Sequence, residues 1–305
     1  MTRLLLLFTF VLPTLSVSCK ARVPEPPPQT TRAVMESHDF AGFSGLALDG
    51  KGRLWAVPER ITSLVRLETH QGELRVAEEL PIDGYPEGLD LESLAIAGDT
   101  FYVGTESLKS ERAEDPIIAI QRTDGGRARV TGQLKFVYSH WNTTGSRNHG
   151  IEGVCVAGDK LVAAAEVGIG TSKRKAPVGV FDLKSGAFEH AWWVPLTSET
   201  GKLSALDCNV NGGVIDVRAI ERHYGVGRLV SARLDPKRPD VETRVVVDLE
   251  RRLDPLPNLE GIAMDAAGTV HMITDNQGRT ASGPTLLFTG VMGQGLFKID
   301  GDRAK

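Results

Sequence analysis

A strand pair that repeats along the chain constrains the fold more than any other feature of the sequence. Each copy has an alternating apolar strand, a glycine-containing turn, a second strand and a terminal acid. The copies are Phe43–Glu59, Leu91–Glu106, Ile151–Glu166, Leu203–Glu221 and Leu259–Asp275. Their second residues are 48, 60, 52 and 56 positions apart, a period typical of the four-stranded blades of a β-propeller.

The segments between the copies supply outer strands. Thr62–Glu68 and Glu73–Leu80 follow the first pair, and Val178–Leu183 and Ala187–Val194 follow the third. The fifth pair is followed by a single predicted strand, at residues 295–300. We expect the N-terminal residues 31–37 to supply its missing outer strand, so that the ring closes and no sheet edge stays exposed. The sequence therefore predicts an all-β chain with one five-bladed β-propeller, and six blades are the alternative.

The N-terminal segment is predicted to lie outside this fold. One early positive charge and an apolar run that ends at Pro13 are typical of a secretory signal, because the run is too short to span a bilayer. The segment Leu15–Cys19 resembles a bacterial lipobox, although Ser16 stands where Leu is usual. Lipidation of Cys19 is expected, and ordinary signal cleavage is the alternative. We predict a signal peptide at 1–18, a Pro-rich tether at 19–31 and a propeller domain at 32–305.

These features place the chain outside the cytoplasm. We expect a bacterial envelope lipoprotein of the periplasm or outer membrane, secreted if Cys19 is not lipidated, monomeric, and bound to membrane through its lipid anchor only. A net charge of −4 argues against bulk nucleic-acid binding. Three cysteines cannot form a disulfide framework. Cys155 and Cys208 fall on first strands of neighbouring blades, where a disulfide is one interpretation and two buried free thiols are the preferred one.

Polar residues recur where the first strand of each pair begins. In a propeller these positions surround the central channel at one end, here called the top face. Carboxylates and hydroxyls converging on an axis supply the hard oxygen ligands that Ca²⁺ takes. The alternative is that these groups only cap strand ends. The predicted calcium ligands are Ser44, Glu92, Glu152, Ser204 and Glu260.

A second set of acids stands where the second strands end, on the same face. Long polar loops and several arginines are predicted to surround them. Acids, a divalent cation and arginines suit a small anionic substrate, with phosphate esters first. For each arginine, a salt bridge to a nearby carboxylate is the alternative. The outer acids are Glu59, Glu106, Glu166, Glu221 and Asp275, and the catalytic candidates are Glu59, Arg60, Glu166, Glu221, Arg222, Asp275 and His149.

Four of these segments together resemble one bacterial family, the "phytase-like" or "esterase-like activity of phytase" propellers. They are residues 43–60, 148–166, 219–225 and 258–276, and the likeness covers about residues 40 to 300. The predicted calcium ring also resembles the central site of five-bladed calcium-activated nucleotidases. That second resemblance implies Ca²⁺ on the axis and phosphoester hydrolysis on the top face. The nucleotidases carry Asp-Asp-Arg-Thr-Gly where this chain has Pro58–Thr62, which keeps only one acid and the arginine. The resemblance therefore supports calcium binding by this chain better than it supports nucleotide hydrolysis.

The predicted mechanism uses the metal to polarise an anionic ester and activate water. Glu59 or Glu166 would take the proton of that water, and Arg60 and Arg222 would stabilise the developing negative charge. The competing hypothesis is a non-catalytic envelope propeller that binds a protein or glycan through its top face, since a fold does not decide function.

Overall fold

The repeated strand pairs form antiparallel ladders in the computed structural model, which describes residues 30–35, 40, 42–168, 174–223, 225–276 and 284–300. Strand β1 covers Thr31–Met35. The next strands are β2 Phe43–Leu48, β3 Leu54–Pro58, β4 Ser63–His70 and β5 Glu73–Asp83, then β6 Leu89–Ala97, β7 Thr100–Ser107, β8 Glu114–Thr123 and β9 Arg127–Val137.

The second half of the chain continues the same order. Its strands are β10 Gly153–Ala157, β11 Lys160–Ala164, β12 Lys175–Asp182 and β13 Phe188–Pro195, then β14 Lys202–Asn211, β15 Val214–His223, β16 Val226–Leu234 and β17 Thr243–Asp248, and finally β18 Leu259–Met264, β19 Thr269–Thr274 and β20 Thr285–Val291. Strands β2–β5, β6–β9, β10–β13 and β14–β17 each pair in sequence order, and every pairing inside these groups is antiparallel.

The last group is completed by the beginning of the chain. Strand β1 pairs antiparallel with β20, from Thr31 opposite Thr289 to Met35 opposite Thr285. The third strand of this group is β20, however, and not the predicted segment 295–300, so that prediction is wrong. Gly295–Phe297 is a short 3₁₀ turn. The strand starts directly after Pro284, in residues for which the sequence predicted no strand.

The first strands of the groups surround a common axis. β2 contacts β6, β6 contacts β10, β10 contacts β14, β14 contacts β18, and β18 contacts β2. An aliphatic layer fills the axis between these strands, and its members are all buried: Leu46, Leu94, Val154, Leu206 and Ile262. The chain is therefore an all-β protein of the propeller type.

Apolar side chains from neighbouring groups form the core. Trp55 of β3 is fully buried, and its ring packs edge-on against Phe101 of β7 with the ring centroids 5.2 Å apart. Between the third and fourth groups, Val178 and Trp192 pack with Val217 in one buried cluster. Each sheet therefore buries both faces against its neighbours, which agrees with the nearly continuous apolar runs in the first strands.

A disulfide joins two of the first strands. Cys155 of β10 and Cys208 of β14 have Cα atoms 5.7 Å apart and sulfurs 2.12 Å apart. The preferred interpretation of two free thiols is wrong, because neighbouring first strands approach within the usual distance for a disulfide.

Several predicted features lie outside the described residues. They are the signal peptide 1–18, the lipidation site Cys19 and nearly all of the tether. Within the described ranges, the helical segments are too short and too polar to cross a membrane.

Candidate functional site

A shift of strand register places the predicted ring residues on the axis. The ladders skip one residue at the start of β2, β6, β14 and β18, and the skipped residues are Ser44, Glu92, Ser204 and Glu260. Glu152 directly precedes β10. An extra residue of this kind bends the strand and re-aims its side chain. All five residues are 6% exposed or less. Ser44, Glu152 and Glu260 line one small cavity at the aliphatic layer, and Glu92 lies beside Glu152. The Ser204 hydroxyl instead donates to the Leu259 carbonyl at 2.9 Å, which is the strand-capping alternative.

Three carboxylates lie closest together on one side of the axis. An oxygen from each of Glu92, Glu106 and Glu152 lies within 4.8 Å of an oxygen from the others. Burial raises the pKa of Glu92 and of Glu152 well above 4.5, and neighbouring carboxylates raise both further. Burial and the charge of Glu166 raise the pKa of Glu106 to about 7. These groups are therefore costly to ionise together.

Protein donors do little to offset that cost. Among the described residues, no hydrogen bond or ion pair reaches the carboxylates of Glu92 and Glu152, and Oε1 of Glu106 is buried without a hydrogen-bond partner. From beyond ion-pair distance, Arg222 lowers the pKa of Glu152 and Arg112 lowers that of Glu106, each by less than burial raises it. Buried charges are normally paired or bound to metal. The donor set fits a hard divalent cation such as Ca²⁺, which takes carboxylate oxygens.

A second acidic group shares Glu92. Oxygens of Glu59, Asp90 and Glu92 also lie within 4.8 Å of one another. Burial raises the pKa of Glu59 and the charge of Asp275 raises it further, whereas Arg60, with its Nε 3.7 Å from Oε1 of Glu59, lowers it. The Arg60 side chain is 65% exposed. Glu59 and Arg60 therefore lie at the solvent edge of the site.

The opposite side of the axis holds a protein cation. The Arg222 guanidinium is ion-paired with Glu260. Asn258 donates from Nδ2 to Oε1 of Glu260 and to Oδ2 of Asp275, at 3.1 Å each. A Cβ at Gly42, which has a φ of +79°, would lie 2.7 Å from Oδ1 of Asp275. Glycine is therefore required where the chain passes this carboxylate.

Glu166 has its own counter-ion. Both of its carboxylate oxygens lie 2.9 Å from Nζ of Lys202. Nε2 of His149 is 3.6 Å from Oε2 of Glu166, and Nδ1 of His149 donates to the Arg147 carbonyl at 2.9 Å. The predicted candidates Glu166 and His149 are thus neighbours, held by a lysine that the sequence interpretation did not single out.

Glu221 points away from the axis into a turn. Its carboxylate accepts hydrogen bonds from the backbone N–H and the hydroxyl of Thr197, at 2.8 and 2.6 Å, and from the same two groups of Ser198, at 2.9 and 2.7 Å. It is fully buried. The structure does not bring Glu221 together with the other candidates.

Three contributors to this site were missed from sequence. Asp90 lies two residues before Glu92, and Lys202 lies two residues before Ser204. Asn258 has the same spacing, two residues before Glu260. This spacing was the available signal. Glu106 was recognised as an outer acid and not as a partner of the inner ring.

The carboxylates described above surround the top of the axis and form what we call the acidic mouth. It consists of Glu59, Asp90, Glu92, Glu106, Glu152, Glu166, Glu260 and Asp275. Fold and site together define a β-propeller with a buried acidic centre. The chain belongs to the phytase-like family described as "esterase-like activity of phytase", which it matches over residues 38–278.

Solved structures share this fold at low identity, and no curated protein matches the chain in sequence. The PQQ-bound aldose sugar dehydrogenase of Streptomyces coelicolor is 12% identical, with 87% of this chain and 99% of that chain covered and a TM-score of 0.43. The apo aldose sugar dehydrogenase of Escherichia coli is 10% identical, with 85% and 99% covered and a TM-score of 0.48. Bacteroides ovatus GH43B is 12% identical, with 85% and 54% covered and a TM-score of 0.50.

Proposed function

We propose that the chain is a five-bladed β-propeller that binds Ca²⁺ in the acidic mouth and hydrolyses phosphate or other anionic esters there. The observation that carries the proposal is the group of Glu92, Glu106 and Glu152, with which no described lysine or arginine forms an ion pair and in which Oε1 of Glu106 is buried without a hydrogen-bond partner. Arg112 and Arg222 act on Glu106 and Glu152 only from beyond ion-pair distance. The five strand groups and the closed contacts of their first strands support the blade count. The family description, which names an esterase-like activity, supports the reaction class.

Glu92, Glu106 and Glu152 are the residues that would hold the cation. When bound, Ca²⁺ would supply a positive charge that polarises an ester oxygen and lowers the pKa of a water molecule. Glu59 is the proton acceptor in this proposal. Its pKa is raised towards neutral pH, which suits a general base, and its side chain is 23% exposed and so can contact water. Glu166 is the weaker candidate because Lys202 holds both of its oxygens.

The rim residues would bind and orient the substrate. Arg60 is exposed next to Glu59 and would contact the anionic group. His149, which is 28% exposed beside Glu166, would donate a proton to the leaving oxygen. Asp275 contributes by raising the pKa of Glu59.

The test is calcium binding followed by turnover. We expect Ca²⁺ to raise the melting temperature of chelator-treated protein, and Glu92→Gln or Glu152→Gln to weaken binding at least about tenfold, since ligand charge sets Ca²⁺ affinity. Glu114→Gln, at an exposed pair with Lys135, is the matched control and should bind as the wild type does. Calorimetry that detects no Ca²⁺ binding by the wild type would contradict the proposal.

Chromogenic phosphate and carboxylate esters test the reaction itself. Turnover that requires Ca²⁺ and falls by orders of magnitude in Glu59→Gln supports the hydrolase. If none of the esters is hydrolysed although Ca²⁺ binds, the result would instead favour a propeller that binds an envelope ligand through its top face.

We also propose that the chain is exported and anchored through Cys19 in the bacterial envelope. The motif at residues 15–19 supports this. Labelling with a fatty-acid analogue should mark the wild type and not Cys19→Ala, and equal labelling of both would contradict the anchor.

A further inference from the structure

Charge is distributed unevenly around the acidic mouth. Where it is formed by β6 and β7, no described lysine or arginine forms an ion pair with Asp90, Glu92 or Glu106. On the opposite side, Lys202 pairs with Glu166 and Arg222 pairs with Glu260. On the first side Arg60 and Arg112 act on Asp90 and Glu106 only from beyond ion-pair distance. On the second side the carboxylates are in direct ion pairs with protein cations.

Arg222 reaches the axis from the second strand of the fourth group. It lies opposite Lys202 in the β14–β15 ladder, and its side chain is only 22% exposed. The charges of Glu260, Glu152 and Glu166 all favour its protonated form. Its Nε is buried without a hydrogen-bond partner. The guanidinium is therefore held mainly by electrostatic attraction to the surrounding carboxylates, because not all of its N–H groups form hydrogen bonds.

A small cavity is lined by Glu260, the carboxylate with which Arg222 is ion-paired. Its polar lining includes Ser44, Glu152 and Glu260, and it lies directly above the aliphatic layer. Two carboxylates and a hydroxyl are oxygen ligands of the kind that a hard cation takes. Without Arg222, Glu260 and Glu152 would face each other across this cavity as uncompensated buried charges, which is a costly arrangement.

We propose that Arg222 is a tethered cation that takes the place of a second divalent ion, so that the mouth binds one Ca²⁺ at Glu92–Glu106–Glu152 and none at Ser44–Glu152–Glu260. This rests on the proposed function for the position of the first ion. Arginine stays protonated at all working pH values. Its fixed charge neutralises Glu260 and repels a divalent ion from the adjacent oxygens. Arg222 therefore sets the number and position of bound ions rather than contacting substrate.

The experiment counts calcium ions per chain. Chelator-treated wild type, Arg222→Gln and Arg222→Lys are titrated with Ca²⁺ by calorimetry at neutral pH. We expect one ion for the wild type, two for Arg222→Gln, and one for Arg222→Lys because the charge is kept. Arg218→Gln is the matched control: it removes one arginine from the same strand, beside Asp207, and should bind one ion.

Arg222→Gln leaves a buried carboxylate unpaired and can unfold when calcium is removed. In that case the variant is refolded with Ca²⁺, freed of unbound ions by gel filtration, and its calcium content is measured by atomic emission. Two ions per chain support the proposal by this route as well.

The outcomes separate this proposal from the proposed function. One ion in the wild type and one in Arg222→Gln, at equal affinity, would overturn the tethered cation and leave the calcium site intact. No ion in the wild type but one in Arg222→Gln would overturn the proposed calcium site and support the tethered cation. No binding by either protein would overturn both.

Discussion

Asp207 shows at the scale of one residue how burial alters a charge in this fold. It lies on β14 at the lower end of the axis, opposite Arg218 in the β14–β15 ladder. Burial raises its pKa to about 6, although the backbone N–H of Met264 donates to its Oδ1 at 3.3 Å and Arg218 lowers the pKa in part. An ionised Asp207 is therefore a cost to the folded state at neutral pH.

The pH dependence of stability tests this cost. Since the folded pKa lies above the unfolded value of 3.8, the contribution of Asp207 to stability is full below about pH 3.8 and is lost as the pH rises through about 6. Relative to Asp207→Asn, the wild type should lose about 2 kcal/mol of unfolding free energy between pH 4 and pH 7. Urea unfolding across this range measures it.

Asp99→Asn, at an exposed turn, is the control and should follow the wild-type profile. Parallel profiles for Asp207→Asn and the wild type would show that Arg218 compensates the buried charge completely.

The residues of the mouth also show where sequence reasoning stops. The repeats locate Glu92, Glu152 and Glu260 because equivalent positions in equivalent strands meet on the axis. Counter-ions follow no such rule: Lys202 belongs to the group after Glu166, and Arg222 to the group before Glu260. Which carboxylate has a counter-ion depends on how neighbouring strand groups pack against each other. The pattern of strands in the sequence does not predict this packing.

At the scale of one element, the turn at residues 195–201 is organised by a single side chain. Glu221 of β15 accepts hydrogen bonds from Thr197 and Ser198, and Arg228 of β16 donates to the Thr197 carbonyl at 3.0 Å. The backbone N–H groups of Thr197 and Ser198 have no strand partner in this turn, and the buried carboxylate of Glu221 accepts their hydrogen bonds instead. This use explains an acid at the end of β15 without a catalytic role.

Glu221→Gln should therefore affect stability and leave the calcium site intact. The amide nitrogen would face donors where the carboxylate oxygen accepted, so we expect a loss of about 1–3 kcal/mol in unfolding free energy and unchanged Ca²⁺ affinity. Glu199→Gln, an exposed residue of the same turn, should be neutral. Loss of ester turnover at unchanged stability would instead place Glu221 in the chemistry.

The strands that belong to the repeated pair could be predicted from the sequence, whereas β20, which lies outside it, could not. The first two strands of every group lie where the repeats placed them. β20 was missed because residues 285–291 follow a Pro-ended polar segment, and the apolar alternation of a seven-residue strand is weak evidence beside it. The later segment at residues 295–300 was predicted instead, but it begins with a 3₁₀ turn at Gly295, where φ is +51°.

At the scale of the whole molecule, the ring is closed by five residues from the beginning of the chain. β1 completes the β18–β20 sheet, and the N–H of Val34 also donates to the Gly72 carbonyl at 3.0 Å. β1 thus connects the last group to the first. The sequence predicted this closure because a group of three strands would leave an edge unpaired.

A proline in β1 tests the closure. Val34→Pro removes the N–H that donates to Gly72 and should cost about 3 kcal/mol or more. Val34→Ala keeps the N–H and is the matched control, with an expected cost of about 1 kcal/mol from the smaller side chain. Chemical denaturation measures both, and equal losses would mean that the backbone contact contributes little.

The pairing of β1 with β20 also affects the order in which the sheets fold. Thr31 and Thr289, which are bonded across this ladder, are 258 residues apart in sequence. Strands β2–β17 pair with neighbours in sequence, but the final sheet forms only when both ends of the chain are present, and long-range pairings of this kind are slow to form. Until then both partners present open edges to other chains. The period before β1 and β20 pair is therefore the one in which this protein is most exposed to aggregation.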